Sequence, residues 1–135
     1  MSLLNVLNVA GSAVSAQSQR LNIVASNLAN ADAVAGTDGK AYQARQVVFQ
    51  SQALDTRGAV GVRVSAVVQD TSPGKKVHNP QHPLADAQGY VTHGNVSVVE
   101  EMVNMISASR SYQNNVEMMN TVKQMVMKTL QLGQG

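Results

Sequence analysis

At 135 residues the chain is long enough for one modest core and too short for two. Ten Lys and Arg against eight Asp and Glu leave a formal charge of only +2, which argues against nucleic acid or an anionic membrane as a partner. The absence of Cys excludes disulfide frameworks, zinc knuckles and thiol nucleophiles, and one Phe, three Tyr and no Trp mean an aliphatic core.

The first element is a helix. Steps of four and three residues from Leu3 land on Leu7, Ala10, Val14, Gln17, Leu21, Val24 and Leu28, a heptad seam that predicts a long helix ending near Asn30 to Asp32. Its polar side is unusual. From Met1 to Ala31 the only charged residue is Arg20, and the other polar positions hold Asn, Ser and Gln, which are poorer helix formers than Lys or Glu. Free-standing, such a helix is marginal. The composition fits a helix whose polar face meets other helices, because small residues permit close approach and amides can hydrogen-bond across an interface without desolvating a charge.

The start of the chain lacks a basic region ahead of its apolar residues, so it does not resemble a cleaved secretory signal, and no run approaches 18 apolar residues. On these grounds alone the chain reads as cytoplasmic.

The middle of the chain carries seven of the ten Gly and all three Pro. "AYQARQVVFQSQ" and "VGVRVSAVVQD" alternate and are rich in β-branched residues, so each predicts a strand. "TSPGKKVHNPQHPLADAQGYVTHG" carries turn signals, with one short strand around Tyr90 to Thr92.

The last element is a second long helix. Steps from Val98 land on Met102, Met105, Ser109, Tyr112, Val116, Met119, Lys123, Val126 and Leu130, Asn95 and Ser97 can start it, and Glu100 and Glu101 suit its first turn. Six of the seven Met lie on it, a residue that adapts to varied neighbours. The expected fold is therefore mainly α: an N-terminal helical segment over 1–33, a small β-rich and loop-rich insert over 34–96, and a C-terminal helical segment over 97–135, with the two helices pairing as a coiled coil.

No reaction can be assembled from these residues. His78, His82 and His93 gather near Asp86, but Pro80 and Pro83 break any helix that would align two of the His as metal ligands. Glu100 and Glu101 point about 100° apart on a helix and cannot oppose each other as acid and base. No G-x-S-x-G elbow or phosphate loop is present. No catalytic, cofactor-binding or metal-binding residue is assigned, and no small-molecule substrate.

"ASNLANADAVAGTDGKAYQARQVVF" and "NVSVVEEMVNMISASRSYQNNVEMMNTVKQMVMKTLQLGQ" resemble the paired terminal signatures of the bacterial flagellar rod, hook and hook-associated family. Asn27, Leu28, Ala29 and Asn30 match the first motif; Ala108, Arg110, Tyr112, Gln113 and Asn115 match the second. Gly94 stands where the family has Pro, and Asn114 where it has Ala. With "HPLADAQGYV" and the short length, the chain is similar to the proximal rod members.

The resemblance implies a structural protein whose terminal helices pair around a narrow channel and stack helically into the rod, the drive shaft between membrane ring and hook. It implies export through the flagellar type III apparatus without a cleaved signal, which moves the expected location to the periplasmic rod of the basal body. Its implied partners are other copies, other rod proteins, membrane-ring components and the export gate. Leu3, Leu7, Val14, Leu21, Val24, Asn27, Leu28, Ala29 and Asn30 are the expected assembly residues of the first helix, with Asn22, Asn27 and Asn30 bonding to neighbouring helices. On the second they are Val98, Met102, Met105, Arg110, Tyr112, Gln113, Val116, Met119, Val126 and Leu130. A cytoplasmic coiled-coil adaptor or chaperone is the alternative reading of the same helices.

Overall fold

The computed structural model describes residues 2–134. In chain order it contains α1 (Leu3–Ala29), β1 (Arg45–Ala53), β2 (Val60–Gln69), β3 (Lys76–His78), β4 (Tyr90–Thr92) and α2 (Val98–Gly133). Two helices thus enclose two small antiparallel sheets in the sequence, β1–β2 and β3–β4.

Both helices start on a serine. Ser2 Oγ accepts the Asn5 N–H at 3.2 Å, and Ser97 Oγ accepts the Glu100 N–H at 3.5 Å, each satisfying a donor that the first turn leaves free. Glu100 and Glu101 lie in the first turn of α2, where the helix dipole favours negative charge. At the end of α1, Asn30 turns its own Nδ2 back onto the Ser26 carbonyl at 2.8 Å, a local bond that suits a helix stop.

α1 packs on α2 and on both strands of the β1–β2 hairpin. Asn27 reaches Glu101 and Arg20 reaches Asn104, so rising numbers in α2 meet falling numbers in α1 and the helices run antiparallel. With 36 residues against 27, α2 carries about 13 Å of helix beyond the far end of the pair. Residues 127–134 are all exposed, and Val126 is the last half-buried position of α2.

The hairpin is two-stranded, with a register shift between Val48 and Phe49 that leaves Ser65 without a partner in the ladder. Its turn is built by Asp55, whose Oδ1 accepts the N–H groups of Arg57 and Ala59 at 3.0 and 2.8 Å, with Gly58 at a φ of +99° that favours glycine. β3 pairs with β4, and an isolated bridge from Val34 to His93 ties this small sheet to the segment after α1.

The core is thin. Among the described residues, six of the nine buried hydrophobic residues are alanines (Ala10, Ala16, Ala35, Ala44, Ala59 and Ala108), beside Val24, Val91 and Val122. Small side chains let the elements approach closely but bury little apolar area, so the isolated chain gains little from the hydrophobic effect.

The expected seam of α1 lies inward: Ala10 and Val24 are buried, and Leu3, Leu7, Val14, Leu21 and Leu28 are half-buried. On α2 the inward positions differ from the heptad reading. Glu101, Ala108 and Val122 are buried, each one residue before the expected Met102, Ser109 and Lys123, while Val98, Met102, Met105 and Leu130 are exposed. In the first turns of α2 the apolar positions Val98, Val99, Met102, Val103, Met105 and Ile106 form one stripe opposite Glu100, Glu101 and Asn104, so spacing alone points to the wrong inward face. Small Ala108, and Glu101 as partner to an amide on α1, decide it.

Candidate assembly surface

The polar face of α1 is met first by the chain's own hairpin. Asn5 Nδ2 donates to Asp55 Oδ2 at the hairpin turn (2.9 Å). Ser12 Oγ accepts the Val62 N–H at 3.1 Å, beside Gly61, whose missing side chain allows this approach. At the base of the hairpin, Asn27 makes four bonds. Its Nδ2 donates to the Arg45 carbonyl at 2.8 Å and to Glu101 Oε2 at 3.1 Å, and its Oδ1 accepts from Tyr42 Oη at 2.8 Å and from the Arg45 N–H at 3.0 Å.

Asn27 is 0 % exposed, and both its donors and both its acceptor positions are used inside the subunit. Asn27 does bond to a neighbouring helix, through Glu101, but that helix is α2 of the same chain, and no capacity remains for a bond to another subunit. Asn30 caps its own helix through Nδ2 and is half-buried, while Asn22 and Ala29 are exposed. A helix with Asn and Ser in place of charges does need polar partners. Sequence pattern does not distinguish partners in the same chain from those in another.

A cleft of about 370 Å³ opens where α1, α2 and β1 meet, lined by Arg20, Val24, Arg45, Phe49, Glu101 and Asn104 among others. Arg20, the lone charge of α1, donates to Asn104 Oδ1 at 3.3 Å, and Arg45 Nη2 donates to Ser26 Oγ at 2.8 Å. These bonds join side chains of the elements around the junction.

The outward side of α2 presents apolar residues. Val98, Val99, Met102, Val103, Met105 and Ile106 are between 37 % and 73 % exposed, on three successive turns. Val99, Val103 and Ile106 fall outside the heptad series, and the signal for them is the run "VVEEMVNMI", whose apolar residues share one side of a helix. A contiguous exposed patch of this kind marks an interaction site. Of the remaining α2 positions expected in assembly, Tyr112, Val116, Met119 and Val126 are half-buried, and Arg110 and Gln113 are exposed.

Among the described residues no group of three or more His, Cys, Asp or Glu is placed to hold a metal ion. The loop residues have structural roles. Asp86 Oδ1 accepts the N–H groups of Tyr90 and Gln88, both at 2.9 Å, and the bond from Tyr90 is the main cause holding its carboxyl below the ordinary Asp value. His82 Nδ1 accepts the Leu84 N–H at 3.0 Å, and His78 meets Tyr90 edge-on at 5.0 Å between ring centres. No described helix is long and apolar enough to cross a membrane.

Comparison with known proteins gives the same family from both ends of the chain. Residues 7–36 match the family described as "Flagella basal body rod protein", and residues 87–132 match "Flagellar basal body rod FlgEFG protein C-terminal". Over 134 residues the chain is 60 % identical to "Flagellar basal-body rod protein FlgC" of Escherichia coli O6:H1 and 58 % identical to that of Salmonella typhimurium, covering 99 % of this chain and 100 % of each relative. The FlgC protein of Buchnera aphidicola subsp. Schizaphis graminum is 49 % identical with the same coverage. These relatives give no support to a cytoplasmic adaptor. The chain belongs to the flagellar basal-body rod protein family, as a structural subunit and not an enzyme.

Proposed function

We propose that the chain is a subunit of the proximal rod, polymerising through α1 and α2 into the shaft that carries torque from the membrane ring to the hook. The observation that carries this reading is the exposed apolar face of α2 at Val98, Val99, Met102, Val103, Met105 and Ile106, in a chain whose own core is mostly alanine. A subunit with so little internal burial gains its remaining stability from neighbours, by mass action. The antiparallel helix pair, with the α1 seam turned inward, supports coiled-coil pairing within the subunit, and the outward face of α2 is left for neighbouring copies and other rod proteins.

Helices over Leu3–Ala29 and Val98–Gly133, with the four strands between them, support division into segments 1–33, 34–96 and 97–135. Arg110, Gln113, Ala29 and Leu130, all exposed, are available to the same contacts. Export through the flagellar type III apparatus without cleavage, placement in the periplasmic span, and contact with ring and export-gate components complete the reading and rest on the family.

The test uses Val103→Asp and Ile106→Asp in a strain lacking its own copy of the protein. Both positions are exposed, so the isolated variants keep the parent's helical signal, while rods fail to form and cells do not swim. Normal basal bodies in both variants would overturn the assignment of this face to assembly.

A further inference from the structure

Two asparagines hold the base of the β1–β2 hairpin from opposite sides. On α1, the Asn27 amide pairs with the main chain of a single residue, taking the Arg45 N–H at 3.0 Å and giving to the Arg45 carbonyl at 2.8 Å, as an adjoining strand would. Ahead of α2, Asn95 Oδ1 accepts the Ala44 N–H at 2.7 Å, and its Nδ2 donates to the carbonyls of Asp70 and Ser72 at 2.8 and 3.0 Å. Asn95 therefore closes across the mouth of the hairpin, where β1 enters and β2 leaves. The Asp70 N–H completes the closure by donating to the Ala44 carbonyl at 2.8 Å.

The same hairpin is tied toward its turn end by Val62 to Ser12 and at its turn by Asp55 to Asn5. From Asn5 to Asn27 α1 rises about 33 Å, close to the roughly 30 Å spanned by strands of this length. The ties thus hold both ends of the ribbon. Apolar burial does not account for this attachment, since most residues of both strands are exposed. A segment with so small an apolar footing is expected to move against its neighbour unless directional bonds hold it.

We propose that Asn27 and Asn95 are positioning residues that lock the hairpin along α1 as a rigid arm, fixing the angle at which it is offered to an adjoining subunit. The arm and the helix pair then move as one body. Resting on the rod-subunit reading, this lets a torsional load pass between the helices and the insert without a hinge at Ala44 or Asp70.

The native chain has no Cys, so two nitroxide labels can be placed without background, at Gln52→Cys on β1 and Asn114→Cys on α2, both exposed positions. Pulsed electron-spin resonance on the purified full chain measures the distance distribution between them. Asn27→Asp keeps acceptors toward Tyr42 and the Arg45 N–H but loses both donors; Asn95→Ala cuts the outer clamp and alters neither helix. The parent is expected to show one narrow population, and each variant a distribution about twofold wider with the far-UV helical signal retained. A parent that is already broad overturns the proposal, as do variants as narrow as the parent. Loss of helix together with the arm in both variants overturns it too, because the asparagines then support general folding only. The measurement needs no rod, so its failure is distinguishable from failure of the Val103→Asp and Ile106→Asp test.

Discussion

Asn27 of α1 donates to Glu101 of α2 at 3.1 Å, and the two side chains are 0 % and 5 % exposed. This bond fixes which turn of α2 meets which turn of α1. It also explains why a motif residue with no chemistry of its own is buried at the junction of four segments: α1, the stretch holding Tyr42, β1 and α2.

Asn27→Ala removes four hydrogen bonds and leaves the Arg45 N–H and carbonyl without their side-chain partner. Unmet polar groups at a buried site cost more than the average hydrogen bond returns, so the variant is expected to lose about 3 kcal/mol. Urea titration followed by circular dichroism reads this as a lower midpoint, and a loss below about 0.5 kcal/mol would show that solvent replaces the bonds freely.

Glu101 separates charge from hydrogen bonding. Glu101→Gln keeps an acceptor for Asn27 and removes a buried charge, so stability is expected to change by less than about 1 kcal/mol. Glu101→Ala strips the acceptor and opens the junction, at a cost of about 2 kcal/mol. Equal losses in the two variants, in the same urea titration, would mean that the carboxylate charge itself is what the junction requires.

The helices and the main hairpin are legible in the sequence because each has a period that physics imposes: a heptad seam for α1, alternation for β1 and β2. The short strand at Tyr90–Thr92 is legible too, but its partner Lys76–His78 is not, since three residues amid turn signals become a strand only by pairing with β4. The inward face of α2 is hidden for a different reason. Its first turns carry their apolar stripe on the side away from α1, and the face turned to α1 is chosen by Glu101 and Ala108, which no hydrophobic count would select. The need of α1 for polar partners can be read from its Asn and Ser content, yet Asn5, Ser12 and Asn27 find theirs on the hairpin, across separations of 50, 50 and 18 residues.

Gly61 brings the hairpin close against Ser12 of α1. A Cβ there would stand 2.5 Å from Ser12 Oγ and 3.0 Å from Leu54 Cδ1, so Gly61→Ala is expected to cost about 2 kcal/mol and lift the hairpin from α1. Ser12→Ala removes the nearest atom, although the Ser12 Cβ remains 3.1 Å away. In that background Gly61→Ala should therefore cost less, with a coupling of about 1 kcal/mol by double-mutant cycle. Strict additivity of the two substitutions would place the strain elsewhere.

The hairpin turn is expected to loosen in acid before the helices do. The Asp55 carboxyl is held below its ordinary value of 3.8, chiefly by the Ala59 N–H, with the Arg57 N–H and the Asn5 side chain acting in the same direction; Asp70, at the hairpin mouth, is lowered mainly by the Ser72 hydroxyl. A carboxyl whose value falls on folding contributes stability above its unfolded value, and that contribution disappears as pH drops through the folded one. The ties are therefore complete at neutral pH, begin to weaken below about pH 4 and are lost as pH falls through the lower folded values. Hydrogen exchange of the Ala59 and Arg57 amides, corrected for intrinsic rates between about pH 6 and pH 3, should show protection falling at the turn while mid-α2 amides keep theirs. Asp55→Asn retains one acceptor oxygen and cannot titrate, so its turn amides should lose this dependence. The same acid-induced loss in the Asn variant would trace it to another group.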